Sequence, residues 1–365
     1  VALMLMVLDD DEIEHPPVEC VFTTEEEVGL NGAKALDKSV LKARTMINMD
    51  SEDEGVATVS CAGGLRVQFT KEIQRTTVQG SLLTLKVEGL LGGHSGQDID
   101  KERQNADLLM ARMIQRLLKE TKGQLVSFNG GTKDNAIPRE CEASLIYESD
   151  EEAAKAEELA CELAETYAEE LTPAEPDFSC EISCETNRTA EAIPQDAAKE
   201  FICAMRLAPN GIQKRNIKMD GFVVVSLNLG VVRTEEDRIV MIFSPRSSVA
   251  SLQEDTKERL NTLAETFGFT VSHSSEYPGW SFKEDSPVRE ICKESYKELF
   301  GEDLKIEAIH AGLECGLFSD AIKGLDAIAI GPTIANCHTP DEYLTLDSFE
   351  RFYEFLKDIL SRLAK

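Results

Sequence analysis

The sequence predicts an α/β protein whose mostly parallel sheet is interrupted by an inserted α+β domain. Helical patterns alternate with short, near-continuous apolar runs at both ends of the chain, which is typical of a parallel sheet covered by helices. Between these ends, apolar and polar residues alternate, as in SLLTLKVEGL, and amphipathic helices separate the strands. We therefore expect one domain built from residues 1–67 and 277–365, and a second built from residues 68–276.

The first domain is predicted to begin with a helix over residues 2–14. A buried strand VECVF (18–22), a helix that starts at GAKAL, and a strand TMINMD (45–50) follow. Parallel sheets place ligands at the carboxyl ends of their strands. Glu25, Glu26 and Glu27 directly follow the first of these strands, and Asp50 closes the second. The sequence therefore predicts acidic side chains along one edge of the sheet.

The inserted domain is predicted to contain long helices at NADLLMARMIQRLLKE and AAKAEELACELAETYAEEL, with alternating strands around them. The same kinds of element recur after residue 195, where strands FVVVSLNLGVV and RIVMIFSPR precede a helix LQEDTKERLNTLAETF. From YPGW (277–280) the parallel pattern returns, with a helix SPVREICKESYKELF and a buried strand LDAIAIGP. The C-terminal segment is thus expected to complete the first domain.

Composition limits the class of partner. The 365 residues carry a net charge of -29, which repels nucleic acid and anionic membrane surfaces. No apolar run approaches the roughly 18 to 20 residues of a membrane helix, and the start does not resemble a signal peptide. Most of the ten cysteines stand singly in apolar or helical patterns, which indicates reduced thiols packed as small hydrophobic side chains. We expect a cytoplasmic protein that binds neither nucleic acid nor membranes.

The acidic run FTTEEEVGLNG (22–32) has two interpretations. In the first, Thr24 and Glu27 form a capping box at the start of a helix. In the second, Glu27 binds a metal while Glu26 accepts a proton from metal-activated water. Helix starts are far commoner than metal sites, so this stretch taken alone favours the capping box. Both interpretations hold together if Thr24 caps the helix while Glu26 and Glu27 face the strand ends.

Two histidines lie in sequences that suit catalysis. His94 is in GLLGGHSG, where the glycines allow a tight turn or a close approach to a ligand, and an exposed turn histidine is the alternative. His338 is in CHTPDEY, just beyond the predicted strand LDAIAIGP. A lone histidine there is usually structural, but Asp341 and Glu342 are placed to orient it as a ligand.

Glu27, Asp50 and His338 form a candidate metal-binding set. Two carboxylates and an imidazole suit a divalent cation of hard to borderline character. All three are predicted at the carboxyl ends of strands in one sheet. Glu26 can share this site with Glu27 only where the strand has ended, because neighbouring strand residues point to opposite faces. The turn after Phe22 meets that condition.

Six motifs in order then give a family resemblance: TTEEEVGLNGA, INMDSEDEG followed by CAGG, GGHSG, FNGGTKDNAIPRE, IHAGLECGLF and CHTPDE. Together they resemble the aminoacyl-histidine (Xaa-His) dipeptidases, co-catalytic zinc metallopeptidases of the aminoacylase/carboxypeptidase superfamily. The resemblance runs from the first residues to the last. It implies a zinc-binding α/β domain interrupted by a lid domain, and metal-dependent hydrolysis of dipeptides in which histidine is favoured at the second position.

The resemblance also implies residue roles. Glu26 would be the general base, and a pair of divalent metals, with zinc expected, would be bound by residues that include Glu27, Asp50 and His338. His94 would polarise the scissile carbonyl or hold the oxyanion. The lid positions that bind substrate would be filled by His94, Asn135 and Arg246. Arg246 suits the terminal carboxylate of a dipeptide, although SPRSSVAS also fits a plain strand-to-helix turn.

The family carries further metal ligands, a His-x-Asp and a bridging Asp, before a helix like the one that opens this chain. By the resemblance these would lie upstream of Val1, so the chain alone is expected to hold an incomplete two-metal site and to be poorly active. Three alternatives stay open: a related aminoacylase, a tripeptidase, or a non-catalytic member of the fold. Homodimers and monomers both suit the architecture.

Overall fold

The computed structural model describes residues 1–26, 29–217, 221–337 and 339–365. It contains two compact units. The first comprises Val1–Gly63, Ser248–Ala250 and Tyr277–Lys365, and the second comprises Gly64–Ser247 and Ser251–Glu276. That each of these parts is a separate domain, with the limits expected from the sequence, stays a prediction.

The helices of the described residues are α1 (Ala2–Asp9), α2 (Asn31–Ala35), α3 (Ala106–Glu120), α4 (Asp150–Leu171), α5 (Gln195–Leu207), α6 (Ala250–Thr266), α7 (Pro287–Phe300), α8 (Glu314–Ala321) and α9 (Leu346–Leu363). The strands are β1 (Thr45–Asn48), β2 (Val56–Cys61), β3 (Gly63–Glu72), β4 (Thr76–Glu88), β5 (Gly93–His94), β6 (Gln124–Gly130), β7 (Ala136–Ile137), β8 (Cys141–Tyr147), β9 (Ser179–Ala192), β10 (Gly211–Asn216), β11 (Phe222–Thr234), β12 (Arg238–Ser247), β13 (Thr270–Tyr277), β14 (Lys305–Ile309), β15 (Asp326–Ala329), β16 (Ile334–Ala335) and β17 (Tyr343–Leu344). Across the described ranges, no helix combines the length and apolar character needed to cross a bilayer.

The first unit contains a four-stranded sheet in the order β1-β15-β2-β14. β1 pairs with β15 and β14 pairs with β2 in parallel, while β15 meets β2 antiparallel through Ala329 and Thr58. The sheet is therefore mixed, and the predicted α/β class is confirmed. Trp280, Cys61 and Cys315 form one small core of this unit together with alanines of β15.

The predicted strand VECVF (18–22) is wrong, because these residues are in irregular backbone. An apolar run becomes a strand only if a neighbouring strand satisfies its backbone polar groups. Here the segment is held by side chains instead: Glu19 accepts hydrogen bonds from the amides of Lys42 and Ala43, at 3.0 and 2.9 Å. Val21 packs beside the buried Ala33 of α2.

The second unit is built on a long sheet in the order β13-β3-β12-β11-β6-β8-β4-β9, with β10 paired to β11. Neighbouring strands of this sheet pair antiparallel, as β11 does with β12 and β4 with β8. Helices α3, α4, α5 and α6 contribute buried side chains to its main core, where Phe69 and Phe243 have ring centroids 4.8 Å apart. The inserted α+β layer predicted from the sequence is therefore present. The expectation of packed thiols is wrong for Cys161 of α4, which is exposed.

Helix α3 begins with a cap whose neighbour is an unusual buried acid. The Asn105 side chain accepts hydrogen bonds from the amides of Asp107 and Leu108, at 3.0 and 3.2 Å. Asp107 is fully buried beside the Cys141 thiol, and Gly130 leaves the space that its carboxyl group occupies. Burial raises the pKa of Asp107 to about 8, against smaller opposing effects of Cys141 and Arg233. The helix N-terminus favours negative charge, but desolvation outweighs it here.

We expect Asp107→Asn to make the protein more stable at pH 8. Because the folded pKa lies above the ordinary value, the unfolded chain releases a proton that the folded protein keeps, so stability falls as pH rises from about 4 to about 8. Removing the ionisable group should lessen that loss by about 1 kcal/mol per pH unit. Urea unfolding of both proteins at pH 5 to 8 measures it. Asp196→Asn, at an exposed first-turn acid of α5, is the control. Parallel stability curves for wild type and Asp107→Asn would contradict the prediction.

Candidate active site

In the first unit, the described part of the acidic run, residues 22–26, leads into a turn that backbone hydrogen bonds hold. The carbonyl of Glu26 accepts hydrogen bonds from the amides of Gly29 and Leu30, at 3.1 and 2.8 Å. The amide of Gly32 donates to the carbonyl of Thr24 at 2.9 Å, and a Cβ on Gly32 would overlap the backbone of Thr24. Glu26 is half-buried on this turn. Because its backbone is fixed by two hydrogen bonds, the residue has a defined place even though it does not follow a strand.

The capping interpretation of Thr24 is wrong. Helix α2 starts at Asn31, and its N-cap position is Leu30, which has a left-handed conformation and makes no side-chain cap. The neighbouring Glu25 is also left-handed, and its carboxylate accepts a hydrogen bond from the side chain of Asn31 at 3.1 Å. Thr24 precedes this N-cap position by six residues, which is too far for its side chain to cap the helix. Glu27, the other half of the capping box, lies outside the described residues.

Asp50 lies where the sequence predicts it, beyond the carboxyl end of β1. It is exposed, and its amide donates to the Asn48 side chain at 3.2 Å. The same stretch of backbone runs beside the segment that follows β15. The amide of Ile330 donates to the carbonyl of Asn48 at 2.9 Å, and that of Ile334 donates to Glu52 at 2.9 Å. The structure thus brings Asp50 beside the segment that leads to His338.

The ligand set itself stays a prediction. Glu27 and His338 lie outside the described residues, and only Asp50 of the three candidates is described. Within the described ranges, no three histidine, cysteine or acidic side chains are grouped so as to hold a metal ion.

Other motifs of the sequence meet near Asp50. Cys315, from IHAGLECGLF, is fully buried in one cluster with Cys61, from the CAGG segment. Burial raises the pKa of the Cys315 thiol, and the negative charge of Asp50 adds to that effect. The negative charge of Asp50 therefore acts on Cys315, in the first turn of α8. Two motifs that are far apart in the sequence, INMDSEDEG with CAGG and IHAGLECGLF, are therefore neighbours in this unit.

In the second unit, His94 has a fixed ring orientation. Its Nδ1 atom accepts hydrogen bonds from the backbone amides of Gly96 and Gln97, at 3.3 and 3.0 Å. Its own amide donates to the Asp98 carboxylate at 2.8 Å. Since both backbone amides are donors, Nδ1 must be the acceptor, and the proton of the neutral ring is on Nε2. His94 therefore offers one N–H donor directed away from the turn.

Burial and the nearby Arg246 lower the pKa of His94, and Asp98 opposes them only in part. The imidazole is therefore neutral at neutral pH. Arg246 lies near the end of β12, is 7% exposed, and stands opposite Ser226 of β11. It belongs to the strand that ends at Ser247, and α6 starts at Ala250, so the strand-to-helix turn expected there is also present.

Asn135 is exposed on the turn between β6 and β7. Its carbonyl accepts a hydrogen bond from the amide of Ser95 at 2.8 Å, next to the β5–β7 pair in which His94 stands opposite Ala136. The three substrate-binding candidates of this unit are thus neighbours. Backbone pairing links the His94 segment to Asn135, and the positive charge of Arg246 lowers the pKa of His94.

Sequence reasoning missed two residues that shape this part of the unit. Asp98 holds the backbone of His94, and its position four residues later in GGHSGQD is a signal that could have found it. Asn228 of β11 donates from its side chain to the carbonyls of Asp134 and Ala136, at 3.2 and 2.8 Å. Nothing near Asn228 in the sequence points to this contact, because its partners lie more than ninety residues away.

Comparison with known proteins extends over nearly the whole chain. It is 33% identical over 368 residues to the cytosol non-specific dipeptidase of Escherichia coli, covering 99% of this chain and 75% of that protein. The crystal structure of aminoacylhistidine dipeptidase from Vibrio alginolyticus superposes with a TM-score of 0.94 at 34% identity, over 99% of this chain and 74% of that one. The resemblance found from the sequence motifs is confirmed.

The family assignment follows from the extent of the match. The model of the family described as "Peptidase family M20/M25/M40" matches residues 1–362 of the 365. It therefore includes both compact units and every candidate residue named above. The chain belongs to peptidase family M20/M25/M40.

Proposed function

We propose that this protein is a metal-dependent dipeptidase that favours Xaa-His dipeptides. The observation that carries the proposal is the chain-wide similarity to two proteins named as dipeptidases, at 33% and 34% identity. The fold of one of them is shared at a TM-score of 0.94. The name of the Escherichia coli relative supports a cytosolic location for this protein as well.

The candidate donors in the first unit fit a divalent cation by their chemistry. Asp50 is an exposed carboxylate beside the segment that leads to His338, and Glu27 directly follows Glu26. Two carboxylates and one imidazole are ligands that zinc accepts. A divalent metal, when bound, would supply the Lewis acid that makes a water molecule acidic enough to react near neutral pH. We assign Glu27, Asp50 and His338 to its binding, with two zinc ions as the finer proposal.

Glu26 is proposed as the general base. Its backbone is fixed in the turn, so its carboxylate starts from a defined position. It would take a proton from the attacking water and deliver that proton to the leaving amine, which keeps the proton balance of hydrolysis.

The second unit is proposed to recognise the dipeptide. His94 would donate from Nε2 to the carbonyl oxygen of the scissile bond, where negative charge develops. Arg246 would bind the terminal carboxylate, because a guanidinium pairs with a carboxylate through two parallel hydrogen bonds. Asn135, exposed on its turn, would contact the substrate with its amide group.

Metal removal tests the metal-dependence. Dialysis of the protein against a chelator should abolish dipeptide hydrolysis, and added Zn²⁺ should restore it. The physical reason is that neutral water is a poor nucleophile unless its pKa is lowered toward about 7. The measurement is the initial rate together with metal content, with Mg²⁺ as the control cation. Full activity in metal-free protein would contradict the proposal.

A substrate panel separates the dipeptidase from the other candidates. We expect hydrolysis of unblocked dipeptides, with the highest kcat/KM for Xaa-His, and little action on tripeptides or N-acetylated amino acids. Preference for N-acetylated amino acids would indicate an aminoacylase, and preference for tripeptides would indicate a tripeptidase. Absence of any hydrolysis with metal bound would indicate a non-catalytic member of the fold. Sedimentation of the same protein would test the homodimer expected as one option.

A further inference from the structure

The turn that carries Asn135 is held on both sides by a single side chain. The Nδ2 group of Asn228 donates to the carbonyl oxygens of Asp134 and Ala136, at 3.2 and 2.8 Å. These two residues flank Asn135. Asn228 is 1% exposed, so its amide does not exchange these partners for water. Both amide hydrogens of Asn228 are therefore used to fix the backbone around one exposed residue.

A second asparagine fixes the orientation of this amide. Asn105 donates from its Nδ2 group to the carbonyl of Leu229 at 2.8 Å, and the same group lies 3.5 Å from Oδ1 of Asn228. Asn105 cannot turn over, because its own Oδ1 caps α3 by accepting from the amides of Asp107 and Leu108. Its donor group thus faces the oxygen of Asn228, which leaves the nitrogen of Asn228 for the turn.

The turn also lies unusually close to β11. A Cβ atom on Gly230 would overlap the backbone of Asp134, so only a glycine at this position admits the turn. The amide of Ala136 closes the turn by donating to the carbonyl of Lys133 at 3.2 Å. Backbone, glycine and the Asn228 side chain together define where Asn135 is presented.

The hydrogen bonds of Asn228 also lie close to the other two candidate residues, His94 and Arg246. Ala136, whose carbonyl Asn228 holds, pairs with His94 in the β5–β7 ladder. Arg246 stands opposite Ser226, two residues before Asn228 on β11. Alternate residues of a strand share one face, so Asn228 and Arg246 lie on the same face of the sheet.

We propose that Asn228 is a positioning residue that holds Asn135 and His94 in a fixed relation to Arg246. The inference rests on the proposed function, in which these three residues bind the dipeptide. Asn228 itself contacts backbone and Asn105, and it acts on substrate only through the residues it holds. It adds to the site a residue that the family resemblance did not supply.

Asn228→Ala in the full protein tests the proposal, with Asn210→Ala as the matched control. Asn210 accepts a hydrogen bond from the amide of Leu229 at 3.0 Å, so the control removes an asparagine contact to the next residue of β11. Hydrogen exchange of residues 93–96 and 133–137 is expected to rise in Asn228→Ala and to stay unchanged in Asn210→Ala. Equal exchange in both variants would overturn the proposal.

Kinetics give the second readout. We expect Asn228→Ala to lower kcat/KM for a dipeptide about 10- to 100-fold, chiefly through a higher KM and with metal content unchanged, because misplaced binding groups cost this much. Asn210→Ala should stay within about twofold of wild type. Near-normal KM in Asn228→Ala would contradict the inference. If the wild-type protein hydrolyses no dipeptide, the proposed function fails, while the exchange comparison still decides whether Asn228 holds the turn.

Asn228→Asp distinguishes hydrogen bonding from space filling. The new side chain has the same shape, but as a carboxylate it would place negative charge against two carbonyl oxygens, and as a carboxylic acid it could donate one hydrogen bond. Its kcat/KM relative to wild type should therefore rise as the pH is lowered from 8 to 6. Wild-type behaviour at pH 8 would show that the two donated hydrogen bonds are not needed.

Discussion

Glu26→Gln is expected to abolish dipeptide turnover while metal binding is retained. The substitution keeps the shape of the side chain and removes its ability to accept a proton. The backbone hydrogen bonds from Gly29 and Leu30 to the Glu26 carbonyl do not involve the side chain, so the turn should persist. A positioned general base contributes about 10²- to 10⁴-fold to the rate, and we expect a loss in kcat of at least that size.

The neighbouring acid provides the control for Glu26. Glu25 is exposed, and its carboxylate accepts a hydrogen bond from Asn31 at 3.1 Å. Glu25→Gln can keep that contact through its amide oxygen, and kcat should stay close to wild type. Metal content of both variants, measured by atomic spectroscopy, separates a catalytic loss from a lost ligand. A Glu26→Gln enzyme with near-normal kcat, or one that has lost its metal, would remove the general base assignment.

The second large effect is expected at His94. His94→Ala removes the Nε2 donor, and loss of one donor to a developing oxyanion costs about 10² to 10³ in kcat. His94→Gln should recover part of that loss, because its amide is a neutral donor of similar reach. His273→Ala is the control, since this exposed histidine of β13 contacts Asn261 at 3.0 Å. Equal kcat for His94→Ala and His273→Ala would rule out the role proposed for His94.

The pH profile adds a test of the His94 geometry. Protonation would put a hydrogen on Nδ1, where it would face the amide donors of Gly96 and Gln97. Burial lowers the pKa of His94 below its ordinary value of 6.5, so the neutral ring persists through neutral pH. The part of the acid limb that belongs to His94 should therefore begin below about pH 6.5 in wild type and be absent in His94→Gln.

Particular elements show how far local sequence signals reach. The alternating pattern of FVVVSLNLGVV and RIVMIFSPR predicts strands, and β11 and β12 are present. The equally apolar VECVF fails as a strand, because its own side chains make its contacts: Glu19 accepts from the amide of Lys42, and Val21 packs beside Ala33. Thr24 fails as a helix cap for a similar reason: left-handed residues after it delay the helix to Asn31. In both cases the local sequence favours an element, but the surrounding backbone does not provide the neighbouring strand or helix start that the element needs.

Asp107 shows that local sequence also fails to predict whether an acidic side chain is buried or exposed. An acid in the first turn of a helix is ordinarily exposed and stabilised by the helix dipole, as Asp196 is placed on α5. On α3 the corresponding acid is enclosed beside Cys141 and under Gly130, and burial raises its pKa to about 8. No local pattern distinguishes the two positions, because the enclosing residues come from β6 and β8.

The sequence by itself determined the α/β class, the family and the identity of the candidate residues, because motifs such as GGHSG and CHTPDE are short and carry their chemistry in residue type and spacing. Only the tertiary structure decided the tautomer of His94, the buried state of Asp107 and the hold of Asn228 on the Asn135 turn. These properties depend on hydrogen bonds and desolvation, which are set by the neighbours of an atom in space. Those neighbours come from distant parts of the chain, and local patterns do not specify them.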